Sequence, residues 1–133
     1  ARLSCADLFL DTMPYNAHST ASDALWAELP VLTCAGESFA GRVGASLLHA
    51  AGLPELVTGS LAEYEVLALR LARDTARLGE IRSKLKANRE TAPLFDTSRF
   101  ARDLEAAYTA MHARFHEGER LAPFAIAPQT PSP

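Results

Sequence analysis

The stretch Ala6–Thr33, ADLFLDTMPYNAHSTASDALWAELPVLT, decides the fold. Its apolar run Ala6–Leu10 has the length of a buried strand, and Asp11 and Pro14 turn it into a loop. From Ser19 to Glu28, the residues Ala21, Ala24, Leu25 and Trp26 favour a helix. Pro30 stops that helix before Val31, Leu32 and Thr33 return to strand chemistry. Strand, loop, helix, strand is the order of an α/β fold, in which a parallel sheet is covered by helices and ligands lie at the carboxyl ends of the strands. The loop after Leu10 is therefore the first place to look for chemistry.

Downstream the alternation continues. Ser38–Ala51 sets Phe39, Val43, Leu47 and Leu48 at helical spacing and ends at Gly52, a natural C-terminal cap. Leu56 and Val57 suit a short third strand. Ser60 with Glu63 forms a capping box that opens a helix carrying Leu61, Tyr64, Leu67, Ala68 and Leu71 on one face. Leu78, Ile81 and Leu85 mark another helix. After Pro93, Asp96 or Thr97 caps a last helix in which Phe100, Leu104, Ala107, Tyr108, Met111 and Phe115 share one side for about four turns. Trp26 and the aromatic residues of this last helix are expected mostly in the core, with the alternative that the helix packs partly on a missing lobe and leaves Phe100, Tyr108 or Phe115 exposed. Residues 1–116 read as a single lobe with a helical C-terminus, and 117–133, with Pro123, Pro128, Pro131 and Pro133, as a Pro-rich flexible tail.

A chain of 133 residues, 48% hydrophobic and 22% charged, suits one soluble globular domain. With a net charge of -3 and no strongly basic stretch, it lacks the footprint of a nucleic-acid binder. No apolar run approaches the roughly 20 residues that span a bilayer, so no membrane partner is expected. Cys5 and Cys34 form no CxxC pair and imply a reduced, cytoplasmic chain. The start ARLSCADLFLD, without Met and without a basic region leading into an apolar core, suggests a fragment or a processed piece. No repeat of about 34 residues is visible.

The loop Asp11–Asp23, DTMPYNAHSTASD, concentrates polar groups at the start of a helix. Free backbone N–H groups and the positive end of the helix dipole attract anions there. Ser19 and Thr20 add hydroxyl donors and His18 an imidazole N–H, a set that suits a diphosphate. Asp23 lies three residues after Thr20 and projects from the same side of the first turn. Its carboxylate can accept both hydroxyls of a ribose, or the pair can simply form a capping box, and spacing alone leaves both readings open. His18, taken alone, is equally at home as a structural or solvated histidine.

Other motifs carry less. Gly36–Val43, GESFAGRV, has the two-glycine spacing of a phosphate-binding loop, but Arg42 and Val43 replace its Lys and Ser or Thr. Glu37 suits a first-turn acid stabilising its helix. His112 and His116 are spaced i, i+4 without an evident third ligand, so they read as a solvated face and no metal site is expected. Arg70, Arg73, Arg77, Arg82, Lys84, Lys86 and Arg89 interleave with Asp74, Glu80 and Glu90 as exposed faces. The G-x-G-x-x-G turn of dinucleotide-binding folds is absent.

The segment Asp7–Leu48, DLFLDTMPYNAHSTASDALWAELPVLTCAGESFAGRVGASLL, resembles the C-terminal catalytic region of the O-GlcNAc transferase and SPINDLY-like glycosyltransferase family, with a bacterial homologue expected. LDT, N-x-H-[ST]-T, D-x-LW, P-V-x-T, GE-x-x-x-x-RV-x-x-S and PLFDTSRFARDLEAAY follow in the family's order across residues 6–116. The resemblance implies a Rossmann-like C-terminal half-lobe of a two-lobed glycosyltransferase B fold. It implies inverting transfer of N-acetylglucosamine from UDP-GlcNAc to Ser or Thr hydroxyls, with no metal or other cofactor. Under it, His18, Ser19 and Thr20 hold the donor diphosphate, Asp23 binds the ribose, and Tyr15 and Asn16 line the donor sugar. The implied partners are the UDP-sugar, a protein or peptide acceptor, the remainder of the catalytic region and upstream TPR repeats.

Tyr15 and Ala17 depart from the family, since animal members carry a smaller Cys and a Gly there; Ser19 replaces a Thr and keeps the hydroxyl. The departures leave GDP-fucose or UDP-glucose open as donors, and a non-enzymatic helical interaction domain stands as the alternative from another class. The family's phosphate-contacting lysine, base-recognising residues and proposed catalytic groups lie upstream of these motifs. No catalytic base is assigned, and the fragment alone is expected to be inactive.

Overall fold

The computed structural model describes residues 2–127. Pro128, Pro131 and Pro133 of the expected tail lie outside the described residues. The chain forms two compact units, Ala1–Phe95 and Asp96–Pro133.

The first unit is built on three parallel strands, β1 (Phe9–Leu10), β2 (Val31–Cys34) and β3 (Val57–Thr58), in the order β1-β2-β3. Phe9 pairs with Val31, and Thr33 with Val57. Helix α1 (Ser19–Trp26) links β1 to β2, and α2 (Val43–Ala50) links β2 to β3. Helices α3 (Leu61–Arg73) and α4 (Thr75–Asn88) follow. This is the parallel sheet with flanking helices that the sequence calls for. All four positions of β2 are buried, as the central strand of a covered parallel sheet requires. Around it pack Leu25 of α1, Leu48 of α2, Leu53 and Leu56 ahead of β3, Leu71 of α3, and Ile81 and Leu85 of α4. Each side chain of this size contributes about 1.5–3 kcal/mol on burial.

The first strand is shorter than the run Ala6–Leu10. Phe9 N–H donates to Pro30 O and Asp11 N–H to Leu32 O. One step back along the ladder the donor would be the N–H of residue 30, and proline has none. Ahead of the strand, the Ala6 carbonyl accepts from the Arg82 guanidinium at 2.8 Å. The second helix also starts late, at Val43 rather than Ser38. Gly41 N–H donates to Ser38 O, and Gly36 N–H to Gly41 O at 2.7 Å, closing Gly36–Gly41 into a turn. Phe39 consequently lies on the surface, 82% exposed. Leu56 ends a 3-10 turn, Pro54–Leu56, and the third strand follows it.

Caps behave largely as their residues dictate. Ser60 Oγ accepts from Glu63 N–H, while the Glu63 carboxylate reaches past Ser60 to the N–H of Gly59. Leu61 is exposed, and only Leu71 of its expected face is fully buried. Gly52 takes a φ of 74° after α2, the left-handed conformation for which glycine is suited. Trp26 is 59% exposed, against expectation, with the Phe95 ring at 5.7 Å and the Arg89 guanidinium at 5.0 Å.

In the second unit, Asp96 Oδ1 accepts from Arg99 N–H and opens α5 (Thr97–His116). No residue of α5 is buried, and Phe100, Tyr108 and Phe115 are exposed, so of the two expectations for its aromatic face the exposed one holds and the core one does not. Among the described residues of this unit α5 is the only helix, so its apolar stripe has no second helix of its own unit to pack against.

Candidate functional site

The loop between β1 and α1 is organised by Asp11, only 3% exposed at the end of the strand. Its Oδ1 accepts the N–H groups of Thr12 and Ala17, and its Oδ2 accepts the Thr33 hydroxyl of β2 at 2.6 Å. A buried carboxylate persists only when its lone pairs are met in this way. Gly44 of α2 makes room for it: a Cβ there would stand 2.5 Å from Asp11 Oδ2 and 2.6 Å from Thr33 Oγ1. Tyr64 of α3 donates its hydroxyl to the Asp11 carbonyl at 2.8 Å. Burial, and secondarily the Asp11 charge, raises the Tyr64 phenol above its ordinary value.

This anchor fixes where α1 starts. Ser22 N–H is the first to find a helical acceptor, His18 O at 3.1 Å. The N–H groups of Ser19, Thr20 and Ala21 precede it and have no acceptor among the described residues. The Ser19 and Thr20 side chains are exposed beside them, and Asp23 is exposed one turn on. The Thr20–Asp23 capping box does not form, because the N-cap is His18 and Thr20 lies inside the helix. That leaves both side chains available to solvent or to a ligand.

His18 makes no capping bond, and its Nε2 is buried without a hydrogen-bond partner. The Tyr15 ring stacks on it at 4.9 Å and 17°, and the Phe39 ring meets it edge-on at 6.2 Å and 87°. Asn16 is 1% exposed; its Nδ2 donates to Thr12 O, and its Oδ1 is unpaired. The orphaned His18 Nε2, three free N–H groups and two exposed hydroxyls thus collect at the positive end of α1, while the orphaned Asn16 Oδ1 is an acceptor that suits a donor such as a sugar hydroxyl. An acceptor-rich anion such as a phosphate group complements that set, since unmet buried polar atoms are where a new hydrogen bond gains most.

Of the residues singled out in the sequence, the structure gathers Tyr15, Asn16, His18, Ser19, Thr20 and Asp23 on one loop and first turn. Asp11 and Gly44, which shape that loop, were not among them. The signal that could have found Asp11 is a lone acid ending an apolar run, with Thr33 ending the next.

The glycine loop Gly36–Arg42 does not serve as a phosphate cradle. The N–H groups of Gly36, Gly41 and Arg42 donate to Gly41 O, Ser38 O and Phe39 O, inside the loop itself. The Ala40 carbonyl accepts from Asn16 N–H at 3.0 Å, tying this loop to the first. His112 and His116 place their Nε2 atoms 3.0 Å apart, and no group of three or more metal-ligating side chains occurs among the described residues. Cys5 and Cys34 are not disulfide-bonded, and no described helix is long and apolar enough to cross a membrane.

The model of Glycosyl transferase family 41 matches residues 1–104. A probable UDP-N-acetylglucosamine–peptide N-acetylglucosaminyltransferase SEC of Arabidopsis thaliana is 39% identical over 122 residues, 91% of this chain and 12% of its own length. The UDP-N-acetylglucosamine–peptide N-acetylglucosaminyltransferase of Caenorhabditis elegans is 39% identical over 85% of this chain and 10% of its own. Among solved structures, a mutant O-GlcNAc transferase of Thermobaculum terrenum is 41% identical and superposes with a TM-score of 0.74, covering 79% of this chain and 20% of its own. The chain thus spans between a tenth and a fifth of the length of these relatives.

Proposed function

The chain belongs to glycosyl transferase family 41, and on that premise we propose that it is the donor-binding portion of an inverting protein O-glycosyltransferase, moving N-acetylglucosamine from UDP-GlcNAc to Ser or Thr hydroxyls. The observation that carries this reading is the start of α1, where the free N–H groups of Ser19, Thr20 and Ala21 stand beside exposed hydroxyls and an unpartnered His18 Nε2.

In this reading His18, Ser19 and Thr20 hold the donor diphosphate. As the sugar leaves, negative charge grows on the terminal phosphate oxygen, and donors fixed before the reaction stabilise it without reorganising. A helix end with two hydroxyls takes the place a metal ion fills in other transferases, so the reaction is proposed to be metal-independent. Asp23, exposed on the same side of the first turn as Thr20, accepts the ribose hydroxyls. Tyr15 and Asn16 lie where the loop approaches the donor sugar. The acceptor is a protein or peptide, and the catalytic base belongs to a part of the transferase outside this chain. We place that transferase in the cytoplasm, with upstream TPR repeats.

One feature favours a second donor. Tyr15 presents a large exposed ring where animal members carry a small Cys, and a different sugar, as in UDP-glucose or GDP-fucose, is the alternative it supports. Calorimetric titration of UDP, GDP and UDP-GlcNAc into the intact protein carrying this chain tests both. Tight binding of UDP and UDP-GlcNAc, lost in Asp23→Ala and Thr20→Ala, is expected. Preference for GDP would redirect the donor to a fucosyl nucleotide, and absence of nucleotide binding would favour an interaction domain.

A further inference from the structure

We propose that Tyr15 is a positioning residue for His18, its ring holding the imidazole in the orientation from which it meets the donor diphosphate. This role rests on the donor-site reading above and is additional to any contact Tyr15 makes with the sugar.

His18 needs an external brace. Neither ring nitrogen bonds to a described residue, and the imidazole torsion has a broad intrinsic profile, so nothing on its own side chain sets the ring plane. The Tyr15 ring, near-parallel at 17° and 4.9 Å, closes one face, and the edge-on Phe39 ring at 6.2 Å limits it from the glycine loop. Bracing by ring contact has a chemical advantage over bracing by a hydrogen bond, because it uses up the hydrogen-bonding capacity of neither nitrogen.

The loop backbone aims Tyr15 at this task. Thr12 Oγ1 donates to the Tyr15 carbonyl at 2.9 Å, Asn16 N–H donates to Ala40 O at 3.0 Å, and Ala17 N–H donates to the buried Asp11 carboxylate at 2.7 Å. Two consecutive peptide groups, 15–16 and 16–17, are thereby fixed, the first at both its carbonyl and its N–H, and the side chain just ahead of them stacks on the N-cap residue of α1. Tyr15 is 64% exposed, so burial in the core does not account for its placement. The contact with His18 does.

The test is calorimetric affinity for UDP and for UDP-GlcNAc in the intact protein, comparing wild type with Tyr15→Phe, Tyr15→Leu, Tyr15→Ala, His18→Ala and the Tyr15→Ala/His18→Ala double variant. Loss of the aromatic pair is expected to weaken both ligands alike by about three- to tenfold in the Ala and Leu variants. Tyr15→Phe keeps the stacked ring and should restore the affinity for UDP, which carries no donor sugar, that Tyr15→Ala loses. In the His18→Ala background, itself weakened about ten- to a hundredfold, Tyr15→Ala should add nothing further. A loss confined to UDP-GlcNAc, or one undiminished without His18, would overturn the positioning role. So would normal binding in Tyr15→Ala alongside weakened binding in His18→Ala, with the donor site left standing. Unchanged UDP binding in His18→Ala would instead remove the diphosphate role of His18, and this inference with it.

Discussion

Two loops leave the same end of the sheet toward two helices, and they use their polar groups in opposite ways. The second, Gly36–Arg42, has the glycines of a phosphate-binding loop and turns the N–H groups of Gly36, Gly41 and Arg42 inward onto its own carbonyls. The first, Thr12–His18, has no glycine, hangs from the buried Asp11, and delivers a helix whose leading N–H groups and hydroxyls remain free. Both helices begin with N–H groups that lack an acceptor among the described residues, and what sets the first apart is the pair of exposed hydroxyls and the unpartnered His18 Nε2 beside them. Glycine spacing alone points to the loop that lacks those groups.

The contrast can be broken most severely at its anchor. Asp11→Ala strands the Thr33 hydroxyl and the Ala17 N–H, and is expected to destabilise the fold by about 3 kcal/mol or more, read by urea unfolding. Gly44→Ala drives a methyl group into the same carboxylate and should cost about 1–3 kcal/mol by the same measurement. A finer separation comes from Ser38→Ala, which removes the hydroxyl accepting Gly41 N–H at 3.1 Å. It should lower stability by about 1 kcal/mol and leave UDP affinity unchanged. Ser19→Ala is expected to do the reverse, weakening UDP about tenfold with no change in unfolding midpoint.

The smallest effect lies at Tyr64, whose neutral hydroxyl donates to Asp11 O. Burial and the Asp11 charge raise its pKa in the folded state. Its contribution is therefore complete below the ordinary tyrosine value of about 10 and is lost as pH rises through the higher folded value. Tyr64→Phe should cost about 1 kcal/mol at neutral pH, and the gap to wild type should close in alkaline unfolding titrations.

Much of this was legible in the sequence because it is local. The strand–loop–helix–strand order follows from Pro30 and the apolar runs, and Ser60 and Asp96 cap the helices their positions announce. The polar cluster from His18 to Asp23 is likewise readable from a helix start alone. The rest depends on partners distant in the chain. Asp11 is explained by Thr33, 22 residues on, and by the space at Gly44. The late start of β1 requires the register that sets the missing N–H of Pro30 against it. Phe39 sits at helical spacing, yet the closure of Gly36 on Gly41 holds it outside the helix. On α5 the apolar stripe is correct for a helix, but a stripe in the sequence does not say whether a facing surface exists.

The most direct test of the central claim is UDP affinity in the intact protein for Thr20→Ala set beside Ser38→Ala, one substitution in each strand-to-helix connection. If α1's start is the donor site, Thr20→Ala weakens UDP by about tenfold or more while Ser38→Ala binds as wild type. Equal affinity in the two variants, whether both retained or both lost, would contradict the assignment of nucleotide binding to the first loop.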